Sequence, residues 1–129
     1  MNKLTGFIKE IKTCDEILQV FIDINGKIFT SLILSSNEKY EINQKVNILF
    51  KETEVMIASK DSKISARNAF LSKILSIQNG EILSAVKFDF LDENIDCIVT
   101  KNAVLDLGCK INEEFIWFVK SNEISIQKV

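Results

Sequence analysis

Leu18-Gln-Val-Phe-Ile-Asp-Ile-Asn-Gly26 sets Leu18, Val20, Ile22 and Ile24 at every second position and then ends on Asn-Gly. A period of two places those four side chains on one face of an extended strand. Asn-Gly accepts the positive φ angles of a tight two-residue turn, so the strand is predicted to fold back as a hairpin onto Lys27 to Leu34. Further along, Ser84, Val86, Phe88 and Phe90 alternate with Ala85, Lys87 and Asp89, and Asp92-Glu93-Asn94 is the expected turn into Ile95 to Thr100. No segment of 11 or more residues carries helical spacing, and only Asn102 to Leu107 suggests one or two helical turns. The fold class read from these patterns is all-β.

The two hairpins belong to a duplication. Asn2-Lys-Leu-Thr-Gly-Phe-Ile-Lys-Glu-Ile-Lys12 resembles Asn68-Ala-Phe-Leu-Ser-Lys-Ile-Leu-Ser-Ile-Gln78, 66 residues on. Ile42-Asn-Gln-Lys-Val-Asn-Ile-Leu-Phe-Lys51 resembles Ile111-Asn-Glu-Glu-Phe-Ile-Trp-Phe-Val-Lys120, 69 residues on, with Val55-Met-Ile57 against Ile124-Ser-Ile126 behind it. The expected organisation is one repeat over 1–60 and a second over 61–129, joined by the polar connector Ser59-Lys-Asp-Ser-Lys63. Units this small bury little core alone, so two small closed barrels packed on each other or on other subunits are expected. Phe115-Ile-Trp-Phe-Val119 is apolar on both strand faces, which leaves one face to line a barrel and the other to meet a neighbour.

Composition excludes several functional classes. In 129 residues, 47% hydrophobic and 26% charged is the balance of a globular protein, and no apolar run approaches a membrane span. The amino-terminal residues lack the pattern of an export signal, so a cytoplasmic location is expected, with no membrane partner. A net charge of −2 with mixed signs provides no basic surface for nucleic acid. With no histidine in the chain, His-based acid–base catalysis, Ser-His and Cys-His pairs and His metal sites are ruled out. Cys14, Cys97 and Cys109 form no CxxC pair and are expected to be reduced and structural, in line with the usual burial of free cysteine, with Cys97 and Cys109 inert among apolar residues. Asp89, Asp92 and Glu93 are expected as solvated turn residues; no Gly-rich phosphate loop or helix-turn-helix is present, and the reading is non-enzymatic.

The sole arginine, Arg67, lies in Ile64-Ser-Ala-Arg-Asn-Ala-Phe70. Its planar fork of donors suits an oxyanion, with the Ser65 hydroxyl and nearby backbone N–H groups adding hydrogen bonds, although an ordinary surface ion pair would use the same residues.

Ser65-Ala66-Arg67-Asn68 at the head of a repeat resembles the SARN signature of the molybdenum-oxyanion-binding Mop domains, also called TOBE domains. The likeness extends to Ile98-Val-Thr100, Leu107-Gly-Cys-Lys110 and the run ending Lys120-Ser121, and with the duplication the chain is similar to the di-Mop molbindins and the tandem ligand-binding region of molybdate-responsive regulators. That resemblance implies two tandem five-stranded OB-like barrels, assembled as a homo-oligomer, with molybdate or tungstate as ligand, no cofactor and no direct nucleic-acid contact. It implies an oxyanion site of Ser65, Ala66, Arg67 and Asn68 from one side and Thr100, Lys120 and Ser121 from a facing barrel. Storage, buffering and sensing are all compatible with it. So are a ligand-binding fragment of a regulator and a protein-interaction module whose oxyanion site has decayed. Two departures favour the last reading: Ala103 stands where relatives often carry a serine, and the first repeat has no Ser-Ala-Arg. Lys51 keeps the place of Lys120, but 31–40 has no unique alignment with 100–109, so no hydroxyl ligand is carried over from it.

Overall fold

The computed structural model describes residues 1–34 and 37–129. Their strands are β1 (Asn2–Cys14), β2 (Ile17–Ile24), β3 (Lys27–Leu34), β4 (Lys45–Phe50), β5 (Met56–Ala58), β6 (Asn68–Asn79), β7 (Leu83–Phe90), β8 (Glu93–Thr100), β9 (Glu114–Val119) and β10 (Ser125–Lys128). One α-helix, α1 (Lys101–Leu107), and two 3₁₀ turns, Glu52–Glu54 and Ser121–Glu123, complete them. The strands form two five-stranded sheets, ordered β10-β4-β1-β2-β3 and β5-β9-β6-β7-β8. These are the two small OB-like units expected from the sequence. The segment 31–40, for which no counterpart of Thr100 was assigned, includes Ser35 and Ser36, which lie outside the described residues.

Each unit curls because its first strand is long and bent. The amino-terminal half of β1 pairs with β4, Asn2 to Phe50 through Phe7 to Lys45, and the rest pairs with β2. The register shifts between Ile8 and Glu10, and the same shift recurs between Ile74 and Ser76 in β6. A bulge of this kind adds a residue on one strand and sharpens its twist, which lets a single strand serve two walls. Gly6 sits just before the bend. A Cβ there would collide with the Asp23 carbonyl oxygen and lie 2.7 Å from Ile24 Cγ1, so the close approach of β1 and β2 needs glycine.

The first hairpin turns as expected, with Asn25 at φ 48° and Gly26 at φ 91°. In the second, the turn is Leu91-Asp92, at φ 51° and 62°, and not Asp92-Glu93-Asn94. Packing explains the shift. Phe90 pairs with Glu93 and Phe88 with Ile95, a register that buries Phe88, Phe90 and Ile95 together and leaves only two residues for the loop. Two non-glycine residues thus take the left-handed conformation because the core fixes the register.

The short carboxy-terminal strands are exchanged between the units. β10, from the end of the second repeat, pairs with β4, Ser125 to Leu49 through Lys128 to Val46. β5, from the end of the first, pairs with β9, Met56 to Phe118 through Ala58 to Ile116. One hydrophobic core therefore runs through both repeats. At its centre Phe29 and Phe50 meet Phe70, Phe90 and Trp117, the Phe50 and Trp117 rings stacked at 5.9 Å. Phe115, Trp117 and Val119 point into this core, while Ile116 and Phe118 are half-buried on the opposite face.

Two asparagines bolt the repeats together. Asn68 is fully buried; its amide oxygen accepts from Thr30 N–H at 2.7 Å and its Nδ2 donates to Thr30 O at 2.9 Å. Asn2 does the same to Asp96, 66 residues beyond Thr30, at 2.8 and 2.9 Å. Each clasp thus carries one repeat's first strand onto the third strand of the other.

Candidate functional site

The chain enters β6 through Ile64 to Arg67, a segment without regular structure that runs past the end of β9. On leaving β9 it makes the 3₁₀ turn Ser121–Glu123, with Lys120 as its N-cap in extended conformation. The Ser31 hydroxyl donates to Ile124 O at 2.7 Å and holds that turn against β3. Between these segments opens a cleft of about 550 Å³, walled by Ser65, Ala66 and Arg67 on one side and Lys120 and Ser121 on the other. Leu32, Met56 and Phe118 give it an apolar floor.

Arg67 curls over its own loop. Its Nε donates to Ser65 O at 3.2 Å and its Nη2 to Ile64 O at 3.1 Å, which orients the guanidinium and leaves its remaining N–H groups for a ligand. Among the described residues, the backbone N–H groups of Ser65, Ala66 and Arg67 have no internal acceptor. Successive free amides beside an arginine make a concavity suited to an anion. The walls are mixed in charge, Glu54 and Glu123 lining the same cleft as Arg67 and Lys120. Recognition of an anion there depends on directed hydrogen bonds at close range, because the net field of the lining is small.

Five of the seven residues expected from the sequence, Ser65, Ala66, Arg67, Lys120 and Ser121, line this one cleft within a single chain. Asn68 does not line the cleft. Its amide is engaged by the Thr30 backbone, Oδ1 accepting and Nδ2 donating, which holds the loop in position. Thr100 lies at the end of β8, where its Oγ1 accepts from Ala103 N–H at 3.1 Å as the N-cap of α1. That bond leaves the Thr100 hydroxyl proton free, but outside the cleft. Sequence reading also missed Phe118 and Glu123, which flank Lys120 on β9 and its following turn, and Glu54 and Met56, since nothing local marks the exchange of β5 onto β9 that brings these two there.

Cys97 is buried and its Sγ donates to Val55 O at 3.2 Å; burial, with a smaller effect from Cys109, pushes its pKa from 9.0 up to about 12. Burial also raises the Cys109 thiol. Cys14, expected to be buried, is exposed at the end of β1. In thiol titration of the native protein at pH 8, Cys14 is expected to react first, Cys109 slowly and Cys97 only on unfolding. The sign follows from the raised value. The stability gained by keeping Cys97 as a thiol is complete below pH 9 and is lost as pH rises through about 12.

No family model matches the chain, and no curated protein matches it. Solved structures do. The cytoplasmic molybdate-binding protein ModG, in a form with molybdate bound, superposes with a TM-score of 0.92 at 19% identity, over 99% of this chain and 96% of that chain. MopII from Clostridium pasteurianum, in an apo form, is 28% identical over 49% of this chain and 96% of its own, with a TM-score of 0.47. The chain has the tandem fold of ModG along its whole length.

Proposed function

We propose that this chain binds a tetrahedral oxyanion, molybdate or tungstate, in the cleft between Ser65–Arg67 and Lys120–Ser121, and serves in storage, buffering or sensing of that anion in the cytoplasm. The observation that carries the reading is the convergence of these two segments, 53 positions apart between Arg67 and Lys120, on one cleft beside free backbone amides. The fold shared with ModG, a molybdate-binding protein, supports the choice of anion.

Binding of this kind needs no chemistry beyond donors held in place. Arg67 offers the remaining N–H groups of an oriented fork, Lys120 a mobile point charge, Ser65 and Ser121 hydroxyls, and Ala66 a backbone N–H. The cleft is many times larger than a tetrahedral oxyanion, and its apolar floor of Leu32, Met56 and Phe118 calls for a cover. A second copy of the chain in a homo-oligomer supplies that cover and brings a Thr100 hydroxyl, free to donate, toward the anion. Ala103 costs the site little in this arrangement, since its backbone N–H caps onto Thr100 whatever its side chain.

Calorimetric titration with molybdate, tungstate and sulfate tests the reading. Molybdate and tungstate are expected to bind and the smaller sulfate is not. A hydrogen bond to a charged group is worth about 1.5–3 kcal/mol, so Arg67→Ala is expected to weaken binding by roughly 10- to 100-fold. Absence of binding by every anion would replace this reading with that of a protein-interaction module.

A further inference from the structure

The cleft has a counterpart in the other half of the molecule. Positions are equivalent at 66 residues through the first three strands of each repeat and at 69 from β4 onward, which matches Gln19, Leu32, Arg67 and Ser121 to Ala85, Ile98, Met1 and Glu52. Gln19, Leu32, Arg67 and Ser121 all line the first cleft. Ala85, Ile98 and Glu52 line a second one, of about 310 Å³.

Lys51 keeps the place of Lys120, but the two clefts differ at two other matched positions. Where the first presents the hydroxyl of Ser121, the second presents the carboxylate of Glu52, and where the first has a guanidinium the matching residue is Met1. Both Glu52 carboxylate oxygens accept from the Met1 α-ammonium, at 2.7 and 2.9 Å. That ammonium holds the Glu52 carboxyl below its ordinary range, so it is ionised at neutral pH. The nearby Lys87 is 3.8 Å from Asp96 and is therefore already facing an acid. A dianion entering this cleft meets a carboxylate where its counterpart meets a hydroxyl donor, and like charges at contact repel.

We propose that Glu52 keeps an oxyanion out of the second cleft, its carboxylate standing where the first cleft presents the Ser121 hydroxyl, so that the chain carries one oxyanion site and not two. The assignment rests on the oxyanion reading of the first cleft. It makes residue 52 against residue 121 the position that decides which repeat binds.

Molybdate titrations of the full chain and of Arg67→Ala, Ser121→Ala and Ser121→Glu test it, with circular dichroism to follow folding. The wild type is expected to saturate at no more than one molybdate per chain, and in Arg67→Ala that one equivalent is expected to bind roughly 10- to 100-fold more weakly, with no second, unweakened equivalent. Ser121→Ala is expected to bind about tenfold more weakly, and Ser121→Glu, which copies Glu52 into the first cleft, not at all. Two equivalents per chain, one equivalent binding Arg67→Ala with wild-type affinity, or Ser121→Glu binding as tightly as Ser121→Ala would overturn it. Should Ser121→Glu fail to fold, the stoichiometry of the wild type and of Arg67→Ala decides alone. A wild type that binds no molybdate would instead remove the oxyanion reading underneath.

Discussion

Replacing Trp117 with alanine is expected to lower stability by roughly 3–5 kcal/mol, the usual range for removing a fully buried large aromatic side chain. Trp117 is completely buried and its ring contacts Phe29, Phe50, Phe70 and Phe90 at centroid distances of 5.1 to 6.2 Å. Two of those rings belong to the first repeat and two to the second, so the cavity would open at the seam between them and not within one barrel. The indole also donates from Nε1 to Ser72 Oγ at 3.0 Å, which would be left without that partner. For a chain of this size the melting temperature is expected to fall by roughly 10–20 °C. Thermal denaturation followed by circular dichroism measures it; a fall of only one or two degrees would show that the two halves are stable without a shared core.

Asn68→Ala is expected to cost roughly 2–4 kcal/mol, because it orphans both the N–H and the C=O of Thr30 in a buried setting, and each buried group without a partner costs about 1–3 kcal/mol. Asn2→Ala removes the equivalent clasp on Asp96, but its bonds are only partly buried, so water can replace them and a loss of about 1 kcal/mol is expected. The ordering is the informative part. Chemical denaturation of the two variants side by side would show it, and equal losses would mean that Asn68 is not the buried clasp described. A change of anion affinity in Asn68→Ala would come through displacement of the Ser65–Arg67 loop, since the amide itself is spent on Thr30.

These residues also show how far the sequence could be read. The hairpin at Asn25-Gly26 was legible because it depends on neighbours in the chain, a period of two and an Asn-Gly turn, and the helical turns over Asn102 to Leu107 were legible as well, although their threonine cap was not. The duplication was legible too, and its offsets of 66 and 69 are those of the strands. The turn at Leu91-Asp92 was not, because its register is set by burial of Phe88, Phe90 and Ile95 and not by the turn residues themselves. Nor was the exchange of β5 and β10. Strands of three and four residues carry too short a pattern to name their partner. At the site, Ser65 to Arg67 and Lys120-Ser121 stood out by residue type, whereas the role of Asn68 as a clasp was hidden by its position within the same four-residue motif. The repetition of Asn2 at the matching place, with Met1 and not an arginine before it, was the available sign that this asparagine serves the fold.

The most direct measurement is an anomalous difference map at the molybdenum edge from crystals grown with molybdate. The expected result is a peak in the Ser65–Ser121 cleft, its oxygens within about 2.7–3.2 Å of the Arg67 guanidinium and the Ala66 N–H, and no peak beside Glu52. Molybdenum bound elsewhere on the chain with this cleft empty would contradict it.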